Sequence, residues 1–286
     1  MGDKGSSIRA RSPRPCCLPI ADRDTYMTDP KRPRSLFSRI FLSPKFMFYP
    51  QVFRIVWVNG RAALKGRYGS SEWAKSSGDI LRALENVGIR VEITGMRNFR
   101  NISGSAVFIA NHMSTLETFV LPYIIQPVKE LTFIVKKSLL TMPVFGPVMR
   151  SRDPVVVGRV NPKADLKTVL EEGTKKLEAG RSLVVFPQST RSAVFNTDEF
   201  NTLGIKLALR AGVPVVPVAL KTDAWGTGKL IKDFGPIDIK KRVHFAFGEP
   251  MQVTGRGTEE HKKVILFIQE KLQQWEKEDM GDGHLK

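Results

Sequence analysis

Residues 106–125 read AVFIANHMSTLETFVLPYII. The short apolar, β-rich run 106–110 reads as a buried strand, and the longer apolar run from Thr115 to Ile125 reads as a helix. Between them lies the polar turn Asn111-His112-Met113-Ser114. A strand passing through a polar turn into a helix is the repeating unit of α/β folds, which place their sites at the carboxyl ends of strands. The same alternation extends in both directions. Runs 89–94, 132–135, 155–157, 183–186, 213–220 and 243–247 read as further strands. Asn161 reads as a helix cap with Pro162 at the first position. Leu166, Val169, Leu170, Gly173 and Leu177 follow at helical spacing, and Gly180 closes that helix. Asn201 is read as the cap of a helix to Arg210, ended by Gly212. The stretch 258–276 is amphipathic, with Val264, Ile265, Phe267, Ile268, Leu272 and Trp275 on its apolar side. The pattern predicts an α/β fold with a mostly parallel central sheet flanked by helices.

Four segments carry candidate chemistry. In the first, His112 and Glu117 stand five positions apart where strand turns to helix. An imidazole held there can take a proton from a hydroxyl, while the carboxylate fixes its tautomer and stabilises the imidazolium. No G-x-S-x-G elbow is present, which favours direct attack by a substrate hydroxyl over an acyl-enzyme. Taken alone, the pair also fits a histidine capping a helix or satisfied in the core. The second segment, VVFPQSTRS at 184–192, runs from a strand into Pro187, Gln188, Ser189, Thr190 and Arg191. Arg191 can grip a phosphate bidentately, and Ser189, Thr190 and backbone N–H groups add donors. The third spans Gly146 to Arg159, an arginine just after the 155–157 strand. The fourth, VPVVPVAL at 213–220, is a buried strand punctuated by Pro214 and Pro217. Singly, each of these also reads as a salt bridge, a turn or a core strand.

In this order the four segments resemble the glycerolipid acyltransferase family, specifically the 1-acylglycerol-3-phosphate acyltransferases. The family pattern is N-H-x-S-x-x-D, a G…R block, F-P-E-G-T-R-S and V-P-[IV]-[IV]-P-V, and the resemblance covers about 80–275. It implies that His112 deprotonates an acceptor hydroxyl, which attacks the thioester of acyl-CoA or acyl carrier protein. It implies that Glu117 supports the histidine, that Arg159 and Arg191 hold the acceptor phosphate with Ser189 and Thr190, and that no other cofactor takes part. Gly146, Pro187, Gln188, Val213, Pro214 and Pro217 are expected to support the motifs or shape the acyl tunnel. Three residues depart from the pattern. Glu117 replaces Asp, Gln188 replaces Glu and so removes a charge near the acceptor, and Ser189 replaces Gly. The acceptor is expected to be 1-acyl-glycerol-3-phosphate in phospholipid biosynthesis. Another lysolipid or hydroxylated lipid is the alternative, and so is an inactive lipid-binding relative.

Composition bears on the partners. The chain has 45 Lys and Arg against 28 Asp and Glu, a net charge of +17, which calls for an anionic partner. Nucleic acid lacks any recognition motif to support it. The adjacent Cys16 and Cys17 give no disulfide framework. His112, His244, His261 and His284 lie too far apart for metal-ligand spacing, so no metal site is expected. Residues 1–35 read as a disordered basic tail with no secretory h-region, and Asp22, Asp24 and Asp29 argue against a mitochondrial leader. The aromatic runs 36–42 and 46–58 are broken by Arg39, Lys45 and Arg54, too short for a spanning helix. Residues 36–75 are therefore expected to form an amphipathic helical membrane-association segment, with a helical pair packed on the core as the alternative. An acyltransferase domain is expected over 76–277 and a flexible tail over 278–286. The expected location is a monotopic or peripheral one on the cytoplasmic face of a membrane.

Overall fold

The computed structural model describes residues 20, 22–29, 31, 43–188, 190–229 and 231–283. Eight strands form one sheet in the order β1-β2-β8-β7-β3-β6-β4-β5. They are β1 Tyr26–Met27, β2 Val91–Thr94, β3 Val107–Ala110, β4 Leu131–Lys136, β5 Val155–Val157, β6 Ser182–Val185, β7 Val215–Lys221 and β8 Val243–Phe247. The five strands from β7 to β5 are mutually parallel, β8 is antiparallel to β7, and β2 follows β8. The sheet is thus mostly parallel, as the alternation of runs predicts. Its central strands are buried on both faces, which is why they read as unbroken apolar runs rather than alternating ones.

Nine helices among the described residues cover the sheet: α1 Lys45–Leu64, α2 Ser70–Asn86, α3 Met96–Arg100, α4 Leu116–Ile125, α5 Lys137–Leu140, α6 Phe145–Ser151, α7 Pro162–Glu178, α8 Leu203–Ala211 and α9 Thr258–Gly283. One core packs α1, α2 and α4 on the sheet through Phe48, Leu84, Phe108, Leu121 and Phe245. The other packs α7, α8 and α9 through Ile109, Leu177, Leu207, Val264 and Trp275. Two glycines permit close approach. A Cβ on Gly78 would stand 2.7 Å from the ring of Tyr123, and one on Gly204 would stand 2.6 Å from Ile109. Helix α7 starts as expected, with Asn161 accepting from the amides of Lys163 and Ala164. It ends at Gly180 (φ 80°), where the amides of Gly180 and Arg181 turn back to Leu177 and Lys176. At α8 the capping position is Thr202, while Asn201 accepts from the amide of Leu203 at 2.9 Å.

Three expected boundaries change. Much of 1–35, together with 36–42, lies outside the described residues, but part of that expected disordered tail is structured. Ile20 is buried, and β1 pairs with the edge of β2. Thr28 Oγ1 donates to Glu85 at 2.7 Å and accepts the amide of Val91 at 2.9 Å. Composition hides this because two paired residues and a few specific acceptors hold the segment. The expected boundary at 75/76 falls inside α2, and Phe48 and Val52 of α1 belong to the main core. The expected flexible tail at 278–286 is helical through Gly283, with Asp279 paired to Lys221.

Candidate active site

Because β7, β3, β6, β4 and β5 are parallel, their carboxyl ends share one edge of the sheet. Ile109 lies level with Val185 on one side and Pro217 on the other, so the segments leaving β3, β6 and β7 emerge together. Asn111 clamps this level. Its side chain donates to the carbonyl of Leu220 at 2.8 Å and accepts its amide at 2.9 Å. His112 follows immediately and is partly exposed.

Glu117, in the first turn of α4, is fully buried beneath His112. Its Oε1 accepts from His112 Nδ1 at 2.8 Å and from the amide of Met113 at 2.7 Å. The amide of Ser114 donates to both carboxylate oxygens at 3.1 Å. Oε2 also accepts from the hydroxyls of Ser114 and Thr222. With Nδ1 donating to Glu117, the lone pair of the imidazole lies on Nε2. The ring stacks on Phe186, centroids 4.3 Å apart. The turn 112–114 wraps around the Glu117 carboxylate.

The second segment folds against the first. Gln188 is buried, and its Oε1 accepts the amide of His112 at 2.7 Å, while the amide of Ser192 donates to the carbonyl of His112 at 2.9 Å. Gln188 braces the backbone of the histidine, a task for which a neutral amide oxygen suffices. Pro187 is buried and its carbonyl accepts from Asn201. Thr190 is exposed at this edge, and Ser189 lies outside the described residues. Arg191 is partly exposed and bonds Thr115 and Asp233, the latter at 2.6 Å.

The remaining expected residues are dispersed. Arg159 is exposed after β5, on the same edge but three strands from β3, about 14 Å at the usual strand spacing. Its backbone is left-handed (φ 56°), and Asp165 accepts the amides of Gly158 and Arg159 at 2.9 and 2.7 Å. Gly146 lets α6 approach α5, since a Cβ there would stand 2.4 Å from the carbonyl of Leu140. Val213 and Pro214 lie at the amino end of β7, the far edge of the sheet from His112, and Pro217 is inside the strand. Val213 and Pro214 are half-buried there, and Pro217 lines a pocket beside Phe247 and Gly248. A narrow apolar cavity lies among α1, α2, α4 and α6, lined by Ile55, Trp73, Ile80, Phe119, Phe145 and Met149. It reaches Thr118 and Phe119, immediately after Glu117. Among the described residues no cluster of His, Cys, Asp and Glu is suited to hold a metal ion. Sequence reasoning missed Thr222 and Asp233, and the only trace of Thr222 is its place just after the fourth segment.

A histidine held by a buried carboxylate at the carboxyl edge of a parallel α/β sheet, with an arginine nearby, is an arrangement suited to general-base activation of a hydroxyl. The family model for Acyltransferase matches residues 90–221, which contain the whole constellation up to the end of β7. Over that segment the chain resembles the acyltransferases, and its relatives are 1-acyl-sn-glycerol-3-phosphate acyltransferases. It is 28% identical over 217 residues to a 1-acyl-sn-glycerol-3-phosphate acyltransferase of Pseudomonas aeruginosa, covering 76% of this chain and 78% of that protein. A chloroplastic relative from Brassica napus is 30% identical over 142 residues, covering 50% of this chain and 39% of its own length. The crystal structure of the 1-acyl-sn-glycerophosphate acyltransferase of Thermotoga maritima shares the fold. Its TM-score is 0.60 at 22% identity, over 81% of this chain and 94% of that one.

Proposed function

We propose that the protein transfers a fatty acyl group from acyl-CoA or acyl carrier protein to the free hydroxyl of 1-acyl-glycerol-3-phosphate, at a membrane surface, in phospholipid biosynthesis. The observation that carries the reading is the bond from His112 Nδ1 to Glu117 at 2.8 Å, which leaves Nε2 as the proton acceptor. Nε2 takes the hydroxyl proton as the oxygen attacks the thioester carbonyl. The tetrahedral intermediate collapses, the C–S bond breaks, and the imidazolium returns its proton to the leaving thiolate. Glu117 stabilises the imidazolium without itself taking the proton. Arg191 holds the acceptor phosphate, with the hydroxyls of Thr190 and Ser189 as further donors. Arg159 assists from the far end of the edge, its left-handed backbone held by Asp165.

The membrane part of the reading rests on α1. Phe46, Phe53, Trp57 and Leu64 are exposed and fall on one stripe of the helix, flanked by exposed Arg54, Arg61 and Lys65. Phe234 stacks on Phe53 at 5.2 Å and widens the stripe. No helix among the described residues is long and apolar enough to cross a membrane. The attachment proposed from the α1 stripe is monotopic or peripheral, on the cytoplasmic face.

The test is acyl transfer by the purified full chain over a panel of lysolipids with both donors. Lysophosphatidate is expected to be the best acceptor, and His112→Ala to abolish transfer while the fold survives. Transfer confined to acceptors without a phosphate would replace the proposed acceptor. Near wild-type turnover by a folded His112→Ala protein would remove the proposed mechanism.

A further inference from the structure

Asp233 occupies Arg191. Its Oδ1 accepts from Arg191 Nη1 at 2.6 Å and from Thr115 Oγ1 at 2.8 Å, and Arg191 also bonds Thr115. These three side chains close a triangle two positions from Glu117. Asp233 stands on the connection between β7 and β8, and the base of that connection is pinned. Gly226 donates to the carbonyl of Pro236 at 2.8 Å, Trp225 Nε1 to that of Asp233 at 3.0 Å, and Tyr49 to that of Gly235 at 2.7 Å. With its own carbonyl fixed by Trp225, Asp233 presents a short side chain from a set backbone. Little side-chain freedom is lost in making the pair, unlike a meeting of two long surface chains. Release needs only rotation of that side chain toward water, to which it is already partly exposed.

We infer that Asp233 belongs to the acceptor site as an internal competitor: its carboxylate holds Arg191 until the phosphate of an acceptor displaces it. The inference rests on the reading of Arg191 as the phosphate-holding residue. Asp233 takes Nη1 of Arg191 and sets a negative charge beside it, so a phosphate seeking the full fork of the guanidinium competes with the carboxylate for that nitrogen and is repelled by its charge. A partly exposed ion pair shifts an equilibrium by about two- to fivefold. Every phosphate ligand therefore pays the same factor, while an acceptor without a phosphate pays none. Small soluble phosphates bind more weakly by that same factor.

The test compares Asp233→Asn and Asp233→Ala with the full-length wild type in mixed micelles. The measurements are kcat and KM for lysophosphatidate and for monoacylglycerol, and the inhibition constant of glycerol 3-phosphate. In both variants the KM for lysophosphatidate and the inhibition constant are expected to fall by one common factor, about two- to fivefold. The KM for monoacylglycerol, which has no phosphate, is expected not to fall with them. A KM for lysophosphatidate that is unchanged or raised overturns the competitor role. Arg191→Ala separates the two readings. If it leaves the KM for lysophosphatidate unchanged, the assignment of Arg191 itself fails. If it raises that KM while the Asp233 variants do not lower it, only the competitor role fails.

Discussion

Replacing Glu117 by Gln probes the charge beneath His112 while keeping its geometry. Oε1 accepts from three N–H groups, those of His112, Met113 and Ser114, whereas Oε2 accepts from two hydroxyls as well as the Ser114 amide. A glutamine therefore seats its carbonyl oxygen at the Oε1 position. Its amide donates to the hydroxyls of Ser114 and Thr222, which can rotate to accept. His112 keeps its tautomer, and what is lost is a negative charge about 4 Å from the centre of the imidazolium. At an effective dielectric constant near 20 that attraction is about 4 kcal/mol. Part of it is realised when the proton moves, so kcat is expected to fall about 10²–10³-fold, with KM little changed. Initial rates of thiol release with saturating donor and acceptor measure this, alongside a thermal melt to show that the variant is folded. Glu117→Asp is expected to lose as much, because withdrawing the carboxylate by one methylene stretches the 2.8 Å bond to His112 beyond hydrogen-bond range. A kcat within about threefold of wild type for folded Glu117→Gln would refute the role of the charge.

Restoring the family residue by Gln188→Glu keeps an acceptor for the amide of His112, so turnover should change less than about threefold; a large change would show that residue 188 acts on the acceptor after all. Exchanging Phe46, Phe53 and Trp57 for Ser removes exposed rings without touching Phe48 or Val52, which are core. The melting temperature should hold while co-sedimentation with anionic liposomes drops at least about tenfold, and unchanged co-sedimentation would place the attachment elsewhere. Deleting 1–68 is a poorer test, because it removes core residues as well. The last expectation concerns His244, which is buried against Trp275 with Glu92, Lys221 and Asp279 nearby, and whose pKa burial pushes down to about 4 from the ordinary 6.5. The unfolded chain then binds the proton more readily, so stability is full above pH 6.5 and falls by up to about 3 kcal/mol as pH drops through 6.5 toward 4. His244→Phe should flatten that slope in melts between pH 7.5 and 5, and an equal slope in the variant would assign it to other groups such as His261.

The sheet was legible because buried parallel strands are written as continuous apolar runs, and α7 because both its ends are capped by residues with a local mechanism. The His112–Glu117 pair was legible for a related reason: five positions across one strand-to-helix turn leave few ways for the two side chains to lie. β1 escaped notice because two residues on an edge carry no period. The last turns of α9 escaped because their anchor, Lys221, lies in another strand.

What the sequence by itself determined is therefore local: the strand and helix runs, the histidine with its carboxylate, and an arginine in a polar turn. Tertiary structure alone decided what each of these touches. Gln188 reaches the amide of His112 across 76 residues, Thr222 reaches Glu117 across 105, and Asp233 reaches Thr115 across 118. Those contacts depend on which strands are neighbours and in what register, here β3 between β6 and β7. The register is set by packing of both faces of the whole sheet. No short stretch contains that information, so the brace behind His112 and the carboxylate that meets Arg191 become visible only once the chain is folded.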